Sequence, residues 1–282
     1  MMIRRQDLCV LLLYYLGYSR TRNLLFRLQR KPVTGFVIFH DILPEAFINF
    51  KANINFLKRR TNVVSLEDFF SGNLSSEKIN VVITFDDGYK SWISHALPVL
   101  KEHGLPATFF VTSGFVDLSK EEEAKFIQSK LALTISPKIM RGGLDFEDVR
   151  RIVKGGFTVG GHTVNHFNLG KLQDMEQVRY EIVEDKMRLE KMSGTKIEYF
   201  SYPFGAYYNP KLNLIEVLKV SGYKGAVTTV SGFNSVRSSP YLLHREITPV
   251  SMPGRVFRAR VYGNYDAVSF MKKWGLRILR FR

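Results

Sequence analysis

The sequence predicts an α/β protein built from βα units around a largely parallel sheet. Two observations indicate this fold class. Short, β-rich apolar runs alternate with longer segments of helical periodicity, and the runs are apolar almost throughout, as in strands covered on both faces. With 282 residues, 45% of them hydrophobic and 24% charged, the chain is long enough to bury a sizeable core.

The elements follow from this alternation. Six apolar runs are predicted to be strands, at residues 35–40, 80–85, 107–112, 157–160, 197–201 and 225–230. Five periodic segments are predicted to be helices, at residues 45–59, 90–103, 146–154, 175–192 and 211–220. The fourth helix has the clearest pattern, because its apolar residues share one face and its charges lie elsewhere. Residues 118–142 are polar and helix-prone, which suggests a lid or an insertion, and residues 71–76 are predicted to form a surface loop.

Positive charge is concentrated at the two ends of the chain. The net charge is +15, of which residues 1–31 contribute +6 and residues 255–282 contribute +7. This distribution suggests three parts: a basic, apolar segment at 1–32, a nearly neutral central domain at 33–254 and a basic segment at 255–282. The only cysteine is Cys9, which excludes an internal disulfide framework.

The apolar run within the first segment covers residues 8–18. It is shorter than the roughly 20 residues that a membrane-spanning helix needs. We therefore expect an interfacial helix, with a docked globular helix and a signal or anchor segment as alternatives. Because leucine and aromatic residues are interleaved with the charges, an anionic membrane surface is favoured as a partner, and no nucleic acid is expected.

Two carboxylates stand where the second predicted strand ends. Asp86 and Asp87 follow an apolar run and precede Gly88, which relaxes the backbone. Loops at the carboxyl ends of parallel strands carry the chemistry in such folds, and a nearby cation would stabilise two adjacent carboxylates. The structural alternative is that Asp87 caps the next helix.

Two histidines follow another predicted strand. His162 and His166 come after the pair Gly160 and Gly161, and on a helical turn residues four apart lie on one face. A coincidental surface pair is the alternative. One carboxylate and two imidazoles make a three-ligand catalytic metal site with an open position, and the second carboxylate is left as a base. The combination indicates a metal-dependent hydrolase.

These motifs resemble those of the polysaccharide deacetylases with the NodB homology domain, carbohydrate esterase family 4. The resemblance covers roughly residues 33–250 and includes the segments 39–42 and 101–111. It implies an irregular (β/α) barrel, a divalent metal that is usually zinc, and hydrolysis of a C–N bond other than a peptide bond. The implied metal ligands are Asp87, His162 and His166, and the implied general base is Asp86.

A third motif follows the fifth predicted strand, at residues 201–205. The resemblance implies that the backbone N–H of Phe204 helps to bind the oxyanion. Tyr89, Tyr202 and Pro203 complete the expected substrate-binding set, with Tyr207 as a further ring that could stack on a sugar. Core packing or a plain turn is the alternative for these residues.

The chain departs from the family pattern at three places. Ser201 replaces the arginine that commonly orients the base, so Asp86 could be tuned differently. The fourth motif is not recognisable, and the general acid is unclear. His244 is the candidate acid, with a structural or surface role as the alternative.

The expected activity is removal of N-acetyl groups from amino sugars of a cell-surface polysaccharide or its lipid-linked precursor. A deformylase or another C–N hydrolase of the same fold is one alternative, and a non-catalytic glycan-binding protein is another. The expected partner is an N-acetylated glycan. The expected location is the bacterial cell envelope, at the membrane periphery.

Overall fold

A curled sheet of parallel strands forms the centre of the fold in the computed structural model, which describes residues 5–131 and 142–273. Seven strands follow the order β7-β6-β5-β4-β3-β1-β8, and β2 pairs with β3. The strands are β1 (Thr34–Phe39), β2 (Asn62–Val63), β3 (Asn80–Asp87), β4 (Thr108–Val111), β5 (Thr158–Gly161), β6 (Tyr199–Ser201), β7 (Gly225–Val227) and β8 (Glu246–Ile247).

Twelve α-helices surround this sheet within the described residues. They are α1 (Arg5–Tyr15), α2 (Tyr18–Leu28), α3 (Phe47–Arg60), α4 (Leu66–Ser71), α5 (Leu97–His103), α6 (Lys120–Ser129), α7 (Phe146–Lys154), α8 (Met175–Arg179), α9 (Asp185–Ser193), α10 (Leu214–Val220), α11 (Gly254–Val261) and α12 (Asn264–Lys273). Two π-helical turns, Trp92–Ala96 and Tyr180–Glu184, lead directly into α5 and α9.

The six predicted strands and five predicted helices are confirmed, with small shifts at their ends. The main difference is that β3 continues for two residues, through Asp86 and Asp87. Part of the polar stretch at 118–142 forms α6, and residues 132–141 lie outside the described part. A parallel bridge between Val227 and Leu243 brings the chain that leads to β8 against β7, and the sheet curls into an irregular barrel.

The buried side chains of each strand alternate between two apolar layers, because successive residues of a strand point to opposite faces. Phe36 and Val82 belong to the smaller inner layer, together with Phe110 from β4. Phe39 and Phe85 belong to the larger layer between sheet and helices. In β3 this alternation puts Asp86 on the same face as Val82, towards the inner layer.

The first two helices pack against the last two. Asp7 in α1 contacts Arg260 in α11 through an ion pair of 2.7 Å that is buried on both sides. In α2, Arg22 donates hydrogen bonds to the carbonyls of Tyr262 and Gly263 and to the carboxylate of Asp266. No helix among the described residues has both the length and the apolarity that crossing a bilayer requires.

Candidate active site

The two motifs open on one rim of the sheet, at the carboxyl ends of β3 and β5. Asp86 and Asp87 end β3, whereas His162 and His166 follow β5. All four side chains are buried, and they line a cavity of about 560 Å³. Asp87 does not cap the next helical turn, because Ser91 occupies that position.

The histidine motif is a loop, so the prediction of a helical turn is wrong. Thr163 and His166 have φ values of +68° and +53°, and Asp87 across the site has +93°. Such left-handed conformations are uncommon for residues with a Cβ atom, and they cluster at functional sites. In this loop the reversal of the backbone, rather than helical periodicity, brings the two imidazole centroids to 5.0 Å.

Asp87, His162 and His166 present their ligand atoms to a common point. Asp87 Oδ1 lies 3.5 Å from His162 Nε2 and 3.3 Å from His166 Nε2. The Nδ1 atoms face the carbonyl oxygens of Ser201, at 2.7 Å, and Lys130, at 3.1 Å. Since a carbonyl only accepts, each Nδ1 carries a proton, and a bound cation would replace the proton through which each Nε2 contacts Asp87 in the metal-free site. One carboxylate and two imidazoles suit a divalent metal with an open coordination position, as in catalytic zinc sites.

The charges around Asp87 keep its carboxylate ionised. Burial alone would raise its pKa, but hydrogen bonds with His162 and His166, together with the charge of His40, hold the pKa well below its usual value. The ionised form is the one that binds a metal.

Asp86 is held by an arginine from a distant part of the chain. Both Nη atoms of Arg245 donate to the two oxygens of Asp86, at 2.7 Å each, and Arg245 is fully buried. Ser201 Oγ donates to Asp86 at 3.0 Å and accepts from Arg245 at 2.7 Å. Burial would raise the pKa of Asp86, but the charge of Arg245, then that of His162, lowers it below the ordinary value. Arg245 thus supplies the positive charge beside Asp86 that the hydroxyl group of Ser201 cannot supply.

The predicted substrate-binding residues divide into two groups. Tyr89 and Phe204 line the cavity, and Phe204, 51% exposed, packs its ring against His166 with centroids 4.7 Å apart. Tyr202 and Pro203 are buried outside the cavity lining, where Tyr202 packs in the apolar layer against Phe200. Neither Tyr202 nor Pro203 therefore lines the cavity that contains the predicted metal ligands.

Comparison with known proteins agrees with this architecture. The family model described as polysaccharide deacetylase matches residues 74–225, which is more than half of the chain and includes all four residues of the site. The chain belongs to the polysaccharide deacetylase family.

Individual relatives of this family member share part of its length. YxkH of Bacillus subtilis, a protein named for a proposed polysaccharide deacetylase role, is 31% identical over 66% of this chain and 57% of its own. A peptidoglycan-N-acetylglucosamine deacetylase of Bacillus cereus is 29% identical over 48% of this chain and 39% of its own. The chain spans about half the length of the curated relatives that it matches.

Solved structures share the fold of this deacetylase-family chain. IcaB from Ammonifex degensii superposes with a TM-score of 0.65 at 24% identity, covering 81% of this chain and 97% of its own. The Streptococcus pyogenes deacetylase PplD, solved with acetate, gives a TM-score of 0.64 at 21% identity over 82% and 99%. These matches support the irregular (β/α) barrel predicted from the sequence.

The two remaining histidines of interest lie in different places. His244, the predicted acid, is half-buried and lies outside the cavity lining, and its backbone exchanges two hydrogen bonds with the Asn234 side chain. His40 lines the cavity at the end of β1, and its charge lowers the pKa of both Asp86 and Asp87. Sequence reasoning noted the segment 39–42 but gave His40 no role. Its signal was a polar residue directly after an apolar strand.

Two buried carboxylates support the histidine loop from behind. Asp185 accepts hydrogen bonds from the backbone N–H groups of His162 and Ser113, at 2.9 and 3.0 Å. Glu181 accepts from the backbone and side chain of Asn165, at 2.8 and 2.7 Å. Both carboxylates are fully buried, although the sequence pattern assigned charges in this helical segment to its exposed face. The signal that was missed is their spacing of four residues, one helical turn apart.

Proposed function

We propose that this protein is a metal-dependent hydrolase that removes N-acetyl groups from amino sugars of a cell-surface polysaccharide or its lipid-linked precursor. The observation that carries the proposal is that one cavity contains both Asp86, which is paired with Arg245, and the three potential metal ligands Asp87, His162 and His166. The named activity of the Bacillus cereus relative supports an N-acetylglucosamine substrate.

The metal would be held by Asp87, His162 and His166, and zinc suits this donor set. When bound, a divalent cation would supply an acidified water and polarise the acyl carbonyl. The hydrogen bonds from both imidazoles to backbone carbonyls fix the ring orientations in advance, so the ligands need little rearrangement to bind the ion.

Asp86 is the proposed general base. Its two oxygens are oriented by Arg245 and Ser201, and its lowered pKa keeps it ionised at neutral pH, ready to accept a proton from the attacking water. Phe204 lies beside His166 on the cavity wall, which supports the proposal that its backbone N–H faces the developing oxyanion.

The departing amine needs a proton, and two groups near the metal site are candidates to supply it. Asp86 can return the proton that it has taken, and His40 is the histidine of the cavity lining that is not in the ligand set. His40 is favoured over His244, because His244 lies outside that lining. A non-catalytic glycan-binding protein is the alternative, and the contact between Arg245 and Asp86 favours the catalytic proposal over it.

Bound metal and product identity test this proposal together. We expect the protein to bind a divalent metal and to release acetate from N-acetylglucosamine oligomers, with little formate from N-formyl analogues. His162→Ala should reduce bound metal and acetate release in parallel, because the substitution removes one of three ligands. Preferred release of formate would instead indicate a deformylase, and full turnover by a metal-free His162→Ala protein would refute the assigned metal site.

We also propose that the protein works at the periphery of a bacterial cell-envelope membrane. The basic charge of both termini and the exposed leucines of α1 and α2 support this proposal. Flotation with anionic liposomes is the direct test, and failure to float would refute it.

A further inference from the structure

A second cavity, of about 810 Å³, lies between α2, α3 and the end of α11. Within the part of the chain that the structure describes, its lining contains no aspartate or glutamate, but it contains five arginines: Arg20, Arg27, Arg59, Arg60 and Arg258. We refer to it as the arginine groove. It is separate from the catalytic cavity, and the two linings share no residue. The catalytic cavity reaches Ala46, just before α3 begins, whereas Arg59 and Arg60 lie at the other end of that helix.

The charges of the arginine groove are not neutralised within the protein. All five side chains are exposed, and none makes an ion pair or a side-chain hydrogen bond with another residue in the ranges 5–131 and 142–273. Other arginines behave differently, since Arg22, Arg245 and Arg260 each contact a carboxylate. A cleft lined by one sign of charge concentrates the electric field and attracts counter-ions.

The charges of three groove arginines act on one side chain of the lining. Burial and the neighbouring Tyr14 raise the pKa of the Tyr262 hydroxyl, and the charges of Arg60, Arg27 and Arg258 oppose that rise. These three arginines come from α3, α2 and α11, and all of them line the groove together with Tyr262.

Exposed apolar side chains border the arginine groove. Leu24 lines it and is 54% exposed, and Leu28 on the same helix is 72% exposed. Leu12 on α1 and Leu16, which follows that helix, are also mostly exposed. Arginines beside projecting leucines match the boundary between phospholipid headgroups and acyl chains. The phosphate groups of a nucleic acid would leave these leucines in water.

We propose that the arginine groove binds the phosphate of an anionic phospholipid headgroup, while the leucines beside it enter the acyl boundary. A guanidinium group binds phosphate through two parallel hydrogen bonds, and several such groups around one cleft hold it in a fixed orientation. This inference rests on the proposed membrane attachment. The inference adds a specific binding site to that attachment. Two of its arginines, Arg59 and Arg60, lie in the central domain and not in the basic termini.

Vesicle flotation of the full-length protein tests the site. The double variant Arg59→Gln/Arg60→Gln should bind vesicles of phosphatidylglycerol and phosphatidylcholine about 30-fold more weakly than wild type, at about 5-fold for each charge removed. Lys191→Gln/Lys196→Gln is the matched control, because it removes the same charge from exposed positions outside the groove. Thermal unfolding of both variants checks that they fold.

The outcomes distinguish phosphate binding in the arginine groove from membrane attachment of the protein as a whole. Selective loss of binding by the arginine variant, with inorganic phosphate as a weak competitor and no binding to phosphatidylcholine alone, supports the proposal. If the arginine variant floats like wild type, the groove is not the site, although membrane attachment stands. If wild type does not float at all, both proposals fail. Tighter arginine-dependent binding to a DNA duplex than to vesicles would also overturn the proposal and identify the groove as a nucleic-acid site.

Discussion

At the scale of single residues, Arg245 changes the interpretation of the site more than any other side chain. Ser201 stands where an arginine is common, which suggested a base with different tuning. In the structure another segment provides the positive charge, because Arg245 donates two hydrogen bonds of 2.7 Å to Asp86. Ser201 completes the arrangement as a bridge between them. The electrostatics expected around the base are therefore present, although the residue that provides them comes from a different place in the chain.

Replacing Arg245 should reduce the ionised fraction of Asp86 and destabilise the fold. Arg245→Met removes the charge that offsets the burial of Asp86, so the pKa of Asp86 should rise and the acid limb of the pH–rate profile should move to higher pH. We expect turnover at neutral pH to fall about 100-fold. Leaving a buried carboxylate without its partner should also cost about 3–5 kcal/mol of stability.

Arg245→Lys provides the control for this change. It keeps the positive charge but loses the paired geometry, so its pH profile should lie between those of wild type and Arg245→Met. An unshifted acid limb in Arg245→Met would show that Arg245 does not set the pKa of Asp86.

At the scale of elements, the segment from α8 through α9 does more than cover the sheet. Its π-helical turn and the start of α9 bury Glu181 and Asp185 directly behind the histidine loop. Their hydrogen bonds with backbone N–H groups, including that of His162, hold a loop whose φ values are unfavourable without such support. The loop geometry is therefore imposed by the helix packed against it.

Removing one of these carboxylates should loosen the metal site. Asp185→Ala removes the acceptor of the Ser113 N–H and the nearer of the two acceptors of the His162 N–H, which also donates to the Val111 carbonyl at 3.1 Å, so metal affinity should fall about 10–100-fold. Competition with a chelator measures this. Glu184→Ala is the matched control on the same helical segment, because Glu184 is partly exposed and pairs with Arg188. Equal metal affinity in the two variants would contradict the positioning role of Asp185.

The sequence predicted those elements whose pattern is local. The long apolar runs specified six strands and the rim on which the two motifs open, because a strand in a buried parallel sheet needs little more than continuous apolarity. β8 is only two residues long and pairs with β1 from more than 200 residues away, so no local pattern reveals it. Arg245 precedes β8, which explains why its contact with Asp86 could not be predicted. The histidine loop was misassigned for a related reason, since backbone reversal depends on its packing.

At the scale of the whole molecule, polar contacts join the terminal helices to one another and, through Glu246, to the central sheet. Arg260 in α11 contacts Asp7 in α1 at 2.7 Å and Glu246 in β8 at 3.4 Å. Burial raises the pKa of Glu246 to about 8, so this carboxyl group resists ionisation. Asp266 in α12 contacts Arg22 in α2, and burial raises its pKa to about 6.

These raised values predict that stability declines as pH rises. Burial raises the pKa of Asp185 to about 7 as well, and each folded value lies above the unfolded one. The stability from these groups is thus complete below about pH 4 and is lost as pH rises through the folded values. Asp86 and Asp87 have lowered pKa values, so their contribution is already complete above about pH 4.

Thermal unfolding of the metal-free protein checks this expectation. The melting temperature should fall from about pH 5 to about pH 8, and Glu246→Gln should flatten the upper part of the fall. Glu216→Gln, at an exposed position, should leave the curve unchanged. A melting temperature that rises over this interval would contradict the assignment of these buried groups.

The most direct test of the central claim is acetate release from N-acetylglucosamine oligomers by zinc-loaded Asp86→Asn, with bound metal measured on the same sample. Asp86 is not among the three ligands, so the variant should retain its zinc while turnover falls at least about 100-fold. Retained zinc with wild-type turnover would show that Asp86 is not the base, and the proposed mechanism would then be wrong.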